Sequence, residues 1–300
     1  MNIEVSVKNM NFLEAFASET RVKIIELLNE KPLNVKEIAA YLDISSAIVT
    51  RHIQKLEQAG IIKCENSAGK RGTQKVCSLK LEQATLQFKF KVSEANANTY
   101  CCSIPVGQYS SYDIKPTCGL ASTGGVIGVV DDPRYFADPD HIQAGIIWFG
   151  QGFIEYRIPN YLLSNQRAKF VQITLEICSE APGYNEDWPS EITFYLAGRE
   201  LGFWTSPGDF GSSKGIFTPD WWNLGTQYGL MKTIIINETG SYVDGIQIST
   251  VTVNDLDIRY GKEILFRMAS LVKSKNSGGV TLFGKGFGNY SQDIQVKIGY

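Results

Sequence analysis

The sequence predicts an α+β chain in which a small helical unit with a hairpin is followed by a much larger all-β sandwich. Three observations carry this. Apolar residues recur at helical spacing over the first 60 residues and alternate with polar ones in much of the later chain. Of 28 glycines, only Gly60, Gly69 and Gly72 precede residue 90, while all five tryptophans follow it. Charge divides at the same place, with 13 Lys+Arg against 10 Asp+Glu over 1–90 and 16 against 21 over 91–300. We place the boundary at residue 90, giving units 1–90 and 91–300. The formal net charge of −2 is therefore a sum of two opposite ends. At 43% apolar and 20% charged, the composition excludes a disordered or collagen-like chain.

The first unit reads as four helices and a hairpin. Leu13 and Phe16 form a short apolar face. Ser18 is placed to cap a second helix on which Val22, Ile25 and Leu28 recur, with Ile24 and Leu27 widening the stripe, and Pro32 ends it. Asn34 caps a third helix carrying Ile38, Ala39 and Leu42. After the tight turn Leu42-Asp43-Ile44, Ser45 caps a fourth, whose Val49, Ile53 and Leu56 face a core and which Gly60 stops. Two strands, Ile61–Glu65 and Lys75–Leu79, then flank a turn over 66–74 with two glycines and adjacent cations. Two short helices across a tight turn, followed by a basic hairpin, make a winged helix-turn-helix.

That arrangement implies double-stranded DNA as partner. The outer face of the fourth helix carries Ser46, Ala47, Thr50, Arg51, Gln54 and Lys55. Small residues at its start permit close approach to a groove, and the Ser, Thr, Arg and Gln side chains reach base edges or phosphates. Lys70, Arg71 and Lys75 on the hairpin are placed to neutralise phosphates or enter the minor groove. The run from Leu13 to Leu79 resembles the ArsR-type winged-helix transcriptional regulators. The matching pieces are Ser18-Glu19-Thr20-Arg21, Val35-Lys36-Glu37-Ile38-Ala39, and Ser45 through Leu56 closing in Glu57-Gln58-Ala59-Gly60-Ile61-Ile62. The resemblance implies a homodimeric repressor whose operator affinity responds to a signal, and sets Ser46, Ala47, Thr50 and Arg51 at the major groove. Metal-sensing members of that family carry cysteines on the third helix, where Asn34–Leu42 has none.

No metal site and no cofactor are expected. His52 has no ligand partner in spacing, His141 is the one other histidine, and Cys101, Cys102 and Cys118 lack CxxC spacing. Cys64 and Cys77 fall on the two hairpin strands and read as half-buried thiols. No apolar run approaches the ~20 residues of a membrane helix, and the start MNIEVSVKNMNF lacks a secretory pattern. The expected compartment is cytoplasmic.

Residues 91–300 read as short strands with Gly-rich turns. Val171, Ile173, Leu175 and Ile177 alternate with polar residues, as do Ile192, Phe194 and Leu196 before the turn at Ala197-Gly198. Further strands fall at 233–237, 245–249, 264–268, 280–283 and 294–298, and Gly284–Gly288 reads as a hairpin turn. The pair around Glu191–Trp204 and the closing run GVTLFGKGFGNYSQDIQVKIGY are similar to galactose-binding-like jelly rolls. Catalysis is not expected, because no two carboxylates are paired by spacing. The aromatic and acidic residues of the loops, Trp148, Glu155, Trp204, Asp209, Trp221 and Trp222, are the candidate ligand contacts, with a carbohydrate the first candidate ligand. The expected function is a DNA-binding regulator with a ligand-sensing sandwich. The alternatives are a glycan-active enzyme carrying a DNA-binding unit, or a sandwich that serves only oligomerisation.

Overall fold

The computed structural model describes residues 2–69, 72–81, 84–87, 98–223 and 225–300. The chain divides into two compact units, Met1–Lys91 and Val92–Tyr300. Among the described residues, no helix is long and apolar enough to cross a membrane.

The first unit holds strand β1 (Asn2–Glu4), helices α1 (Met10–Ala15) and α2 (Glu19–Glu30), strand β2 (Leu33–Asn34), helices α3 (Val35–Leu42) and α4 (Ser46–Gln58), then strands β3 (Ile62–Gly69), β4 (Gly72–Leu79) and β5 (Thr85–Gln87). The expected caps are largely made. The Asn34 side chain accepts from the Lys36 and Glu37 amides while Glu37 accepts from the Asn34 amide, a reciprocal capping box. Asp43 takes the left-handed conformation that ends α3. The Ser45 hydroxyl accepts from the Ile48 amide. At the other end of α4, Gly60 (φ 72°) donates to Glu57 and Ile61 donates to Leu56, the paired bonds of a Schellman ending.

Three local expectations are corrected. Ser18 sits at the start of α2 but makes no side-chain cap. The core face of α2 is Arg21, Ile24 and Leu28, with Val22 exposed, and that of α1 is Phe12 and Ala15, with Phe16 exposed. The reason is Arg21. Its guanidinium is buried because it donates to the carbonyls of Ala15 (2.8 Å) and Glu14 (2.6 Å), satisfying the end of α1 and rotating α2 accordingly. The hairpin strands are also longer than expected, pairing from Ile62↔Leu79 out to Gly69↔Gly72, and β2 adds a third strand beside β4. Ile24, Ile38, Val49, Ile53, Leu56 and Ile61 form the centre of this unit's core.

The second unit contains strands β6 (Thr99–Ile104), β7 (Ser111–Ser122), β8 (Gly125–Ile127), β9 (Ile146–Ile158), β10 (Phe170–Cys178), β11 (Ser190–Leu196), β12 (Arg199–Ser206), β13 (Leu230–Asn237), β14 (Gly240–Val243), β15 (Ile246–Ser249), β16 (Ile264–Ser270), β17 (Val280–Phe283) and β18 (Ile294–Gly299). It is an all-β sandwich. β9 and β10 let one hydrogen-bonded network supply both layers. β9 pairs with β7 along one edge, and with β17 and then β16 along the other. β10 pairs with β13 on one edge, and with β18 and then β17 on the other. Strands that change partners midway make the corners of such packings, and Gly152 (φ 107°) lies where β9 does so. The core between the layers includes Ile147, Phe149, Ile173, Leu175, Phe194 and Phe266.

The hairpin β11–β12 turns at Ala197-Gly198, both at positive φ. Gly284–Gly288, however, is not a hairpin turn. β17 and β18 do not pair with each other but lie in succession along one edge of β10. The intervening loop is tied down by buried Glu176 on β10, whose carboxyl accepts from the amides of Gly229 (2.9 Å), Asn289 (2.8 Å) and Tyr290 (3.0 Å).

Candidate functional site

In the first unit, the two caps of α4 and its buried Val49, Ile53 and Leu56 fix which face looks outward. Ser46, Ala47, Thr50, Arg51, Gln54 and Lys55 are all exposed, in one stripe along the helix. Thr50 Oγ1 donates back to the Ser46 carbonyl at 2.8 Å, so its hydroxyl proton is engaged within the helix. The stripe is less polar at its start than the polar residues alone suggest, because Ile48 is 44% exposed there. His52 lies at the edge of the core. Burial, with Arg21 and Lys55 close by, holds its imidazole below the ordinary range.

The hairpin differs from expectation in one cation. Lys75 Nζ lies 2.8 Å from Glu57 Oε2 on α4, and this partner holds its ammonium above the usual lysine range. Lys75 is therefore a tie between hairpin and helix rather than a free charge. Lys70 and Arg71 lie outside the described residues. Beneath Lys75, Cys64 and Cys77 face each other across the strands with their sulfurs 2.8 Å apart. Burial pushes both thiols up, which disfavours the thiolate.

In the second unit, strand alternation builds a cavity. Ile147 and Phe149 of β9 point into the main core, so Ile146 and Trp148 point to the opposite face, where they join Ala121, Cys178, Phe283 and Phe287 in a smaller cluster. Trp148 lies across Gly119 of β7, where any Cβ would run into the indole. Trp222 stands edge-on to Trp148, with centroids 5.4 Å apart, and Trp221 edge-on to Trp222 at 5.5 Å. Both outer indoles are pinned by their N–H groups, Trp221 to the Thr123 carbonyl (2.7 Å) and Trp222 to the Thr226 carbonyl (2.8 Å). The three rings wall a cavity of about 540 Å³, within the size range of small-molecule sites.

The polar side of this cavity is acidic. Glu180, 8% exposed, accepts from the hydroxyls of Thr117 (3.0 Å) and Thr281 (2.9 Å), and Asp131 also lines the space. Asp209 lies fully buried behind it, accepting from the Ala181 amide at 2.9 Å. Burial, reinforced by the nearby Asp209 charge, pushes Glu180 up to about 8, and burial pushes Asp209 up to about 7.

Of the six candidate ligand contacts, Trp148, Trp221 and Trp222 line this cavity and Asp209 backs it. The other two lie elsewhere. Glu155 pairs with Arg267 of the neighbouring strand at 2.9 Å, since the register sets the two directly opposite. Trp204 packs on the main core beneath Lys232, whose ammonium is 4.7 Å from the ring centroid. Glu180, Thr117, Asp131 and Thr281 were not singled out in the sequence. The one signal for Glu180 is its place just past the end of the alternating strand 171–177. Among the described residues, no cluster of His, Cys, Asp and Glu is arranged to hold a metal ion.

Comparison with known proteins divides along the same boundary. The model of the bacterial regulatory protein arsR family matches residues 18–63. An uncharacterized HTH-type transcriptional regulator of Methanocaldococcus jannaschii is 39% identical over 52 residues, 17% of this chain, which spans 55% of that relative's length. The transcriptional regulator HlyU from Vibrio vulnificus CMCP6 is 28% identical, covering 25% of this chain and 74% of its own, with a TM-score of 0.22. On the sandwich side, the CBM36-1 domain of a multidomain xylanase from the hindgut metagenome of Trinervitermes trinervoides is 9% identical. That match covers 68% of this chain and 98% of that one, with a TM-score of 0.30. Residues 18–63, which span α2, α3 and α4, are a helix-turn-helix domain of the ArsR family.

Proposed function

We propose that the chain is a DNA-binding transcriptional regulator that acts as a homodimer on a double-stranded operator, with its sandwich serving as the receptor for a sugar-sized polar ligand. The observation that carries the DNA half is the exposed stripe Ser46, Ala47, Thr50, Arg51, Gln54 and Lys55 on a helix capped at both ends. Such a helix is short and firm enough to enter a major groove end-first, with Arg51 available to a guanine edge and Lys55 to phosphate. Two copies would set their α4 helices in successive grooves, about 34 Å apart. The ligand half is supported by the cavity walled by Trp148, Trp221 and Trp222, whose pinned rings form a preset apolar surface beside hydrogen-bonding groups.

The test is to select binding sites from a random duplex library with the full chain and then to measure variants on the selected site. Arg51→Ala is expected to lose about 1–3 kcal/mol and to relax preference at one base pair. Lys55→Ala is expected to weaken all sequences alike. Unchanged affinity and preference in both would overturn the assignment of α4 as the reading helix.

A catalytic second reading is favoured by one observation. Glu180 and Asp131 both line the cavity, and Glu180 is raised to a range suited to a general acid. Release of reducing ends from oligosaccharides by the wild-type chain, absent in Glu180→Gln, would establish it.

A further inference from the structure

Buried acids in proteins are ordinarily paired with a base or a metal. Glu180 and Asp209 are not. Among the described residues, the groups that hold them are three hydroxyls, Thr117 and Thr281 on Glu180 and Thr226 on Asp209, and one backbone amide, and the cavity lining contains no Lys, Arg or His. The titratable groups facing Glu180 are Asp209, Asp131, and the thiols of Cys118 and Cys178, both raised by burial. None is cationic. The opposite walls are the indoles of Trp148, Trp221 and Trp222, which attract positive charge through their faces. The acids and the aromatic faces at this site thus disfavour an anion. The protein itself supplies no cation that would let these two desolvated carboxyls ionise.

We propose that the sandwich cavity takes a ligand bearing a protonated amine, an amino sugar or an organic ammonium of that size, whose cation sits between the indoles and the Glu180 and Asp131 carboxyls. This rests on the reading of the cavity as a ligand site. A neutral sugar would use the same rings but leave the two acids uncompensated. A uronate or a sugar phosphate would set a negative charge against these acids with no cation to meet it.

The proposal carries a linkage signature. A cation beside Glu180 favours its ionised form, so binding below the range where the free carboxyl titrates, about 8, expels a proton. Affinity should then fall by up to tenfold for each pH unit below that range.

The experiment is calorimetric titration of the full chain at pH 7 with glucosamine, galactosamine and choline, against glucose and galactose as neutral parents. It is run in phosphate and in HEPES so that proton release is read from the difference in heat. At least one amine is expected to bind ten times or more tightly than its neutral parent, with proton release. Glu180→Gln and Asp131→Asn are each expected to weaken it about tenfold, and Glu155→Gln to leave it unchanged. Asparagine tolerates the positive φ of Asp131 (62°), so that variant stays informative even if Glu180→Gln fails to fold. A neutral parent binding as tightly as its amine, or an amine indifferent to both variants, overturns the charge proposal and leaves the ligand site standing. No heat with any of the five titrants overturns both.

Discussion

The two candidate sites are built in opposite ways. The stripe on α4 comes from six residues within one stretch of ten, Ser46 to Lys55, all six exposed, and its chemistry is set by helix periodicity. The sandwich cavity draws on Thr117, Trp148, Glu180, Trp222 and Thr281, from strands and loops far apart in the chain, and its polar side is nearly dry. A contiguous exposed site tolerates substitution without loss of the fold, and its charges act through water and salt. An assembled recessed site depends on the packing beneath it, and its charges act through desolvation. An ionisable side chain therefore does different work in the two places. Lys55 is a solvated cation, whereas Glu180 is a carboxyl kept from water.

The sharpest way to break the comparison is to ask whether the units fail separately. Leu56→Ala removes a fully buried side chain from the first unit and is expected to cost about 3 kcal/mol. The loss should appear in the unfolding of that unit alone, with the tryptophan signal of the sandwich melting as before. A single merged shift would show that the units unfold together.

Next in size, Gly119→Ala forces a methyl group into the Trp148 indole and should destabilise the sandwich by about 2 kcal/mol while disordering the cavity wall. Near-ultraviolet circular dichroism from the tryptophans reports that change, and DNA affinity should not respond.

Glu180 yields a smaller, pH-dependent effect. Its folded-state range, about 8, lies above the value of 4.5 that serves for the free side chain. The folded chain thus holds a proton that the unfolded chain releases, so this contribution is intact at acid pH and declines as pH rises through about 8. The melting temperature of the sandwich should fall between pH 5 and 8.5, and Glu180→Gln should recover on the order of 1 kcal/mol at the upper end. A flat wild-type profile would contradict the buried acid.

The smallest effect concerns Lys75. Glu57→Gln removes its partner and should free one cation for phosphate, steepening the salt dependence of DNA binding by about one unit of slope. An unchanged slope would mean that Lys75 points away from the duplex.

Legibility followed the same division. The helix order, the Asn34 and Ser45 caps, the Gly60 stop and the outward face of α4 were readable because each depends on neighbours within a turn or two. The buried face of α2 was not readable, for the converse reason. Counting apolar residues favours Val22, but the carbonyls at the end of α1 claim the guanidinium and turn the helix by one position. In the sandwich, alternation marked several strands but not their pairing. Nothing local shows that β17 and β18 share one edge of β10, so Gly284–Gly288 looked like a hairpin. The tryptophans Trp148, Trp221 and Trp222 were conspicuous by type. Glu180 acquires its character only from Thr117 and Thr281, which the fold brings to it from opposite directions along the chain.

One feature of the first unit bears on how such a molecule is switched. The hairpin is fastened at its stem to both helices of the helix-turn-helix, by the Lys75–Glu57 ion pair to α4 and by the Asn34 amide reaching Gln74 at 3.3 Å beside the Leu33–Asn34 strand. Stem and reading helix therefore behave as a single rigid gauge with a fixed gap. In the dimer proposed above, a signal would change operator affinity through the interval between the gauges of two copies rather than through the gauge itself.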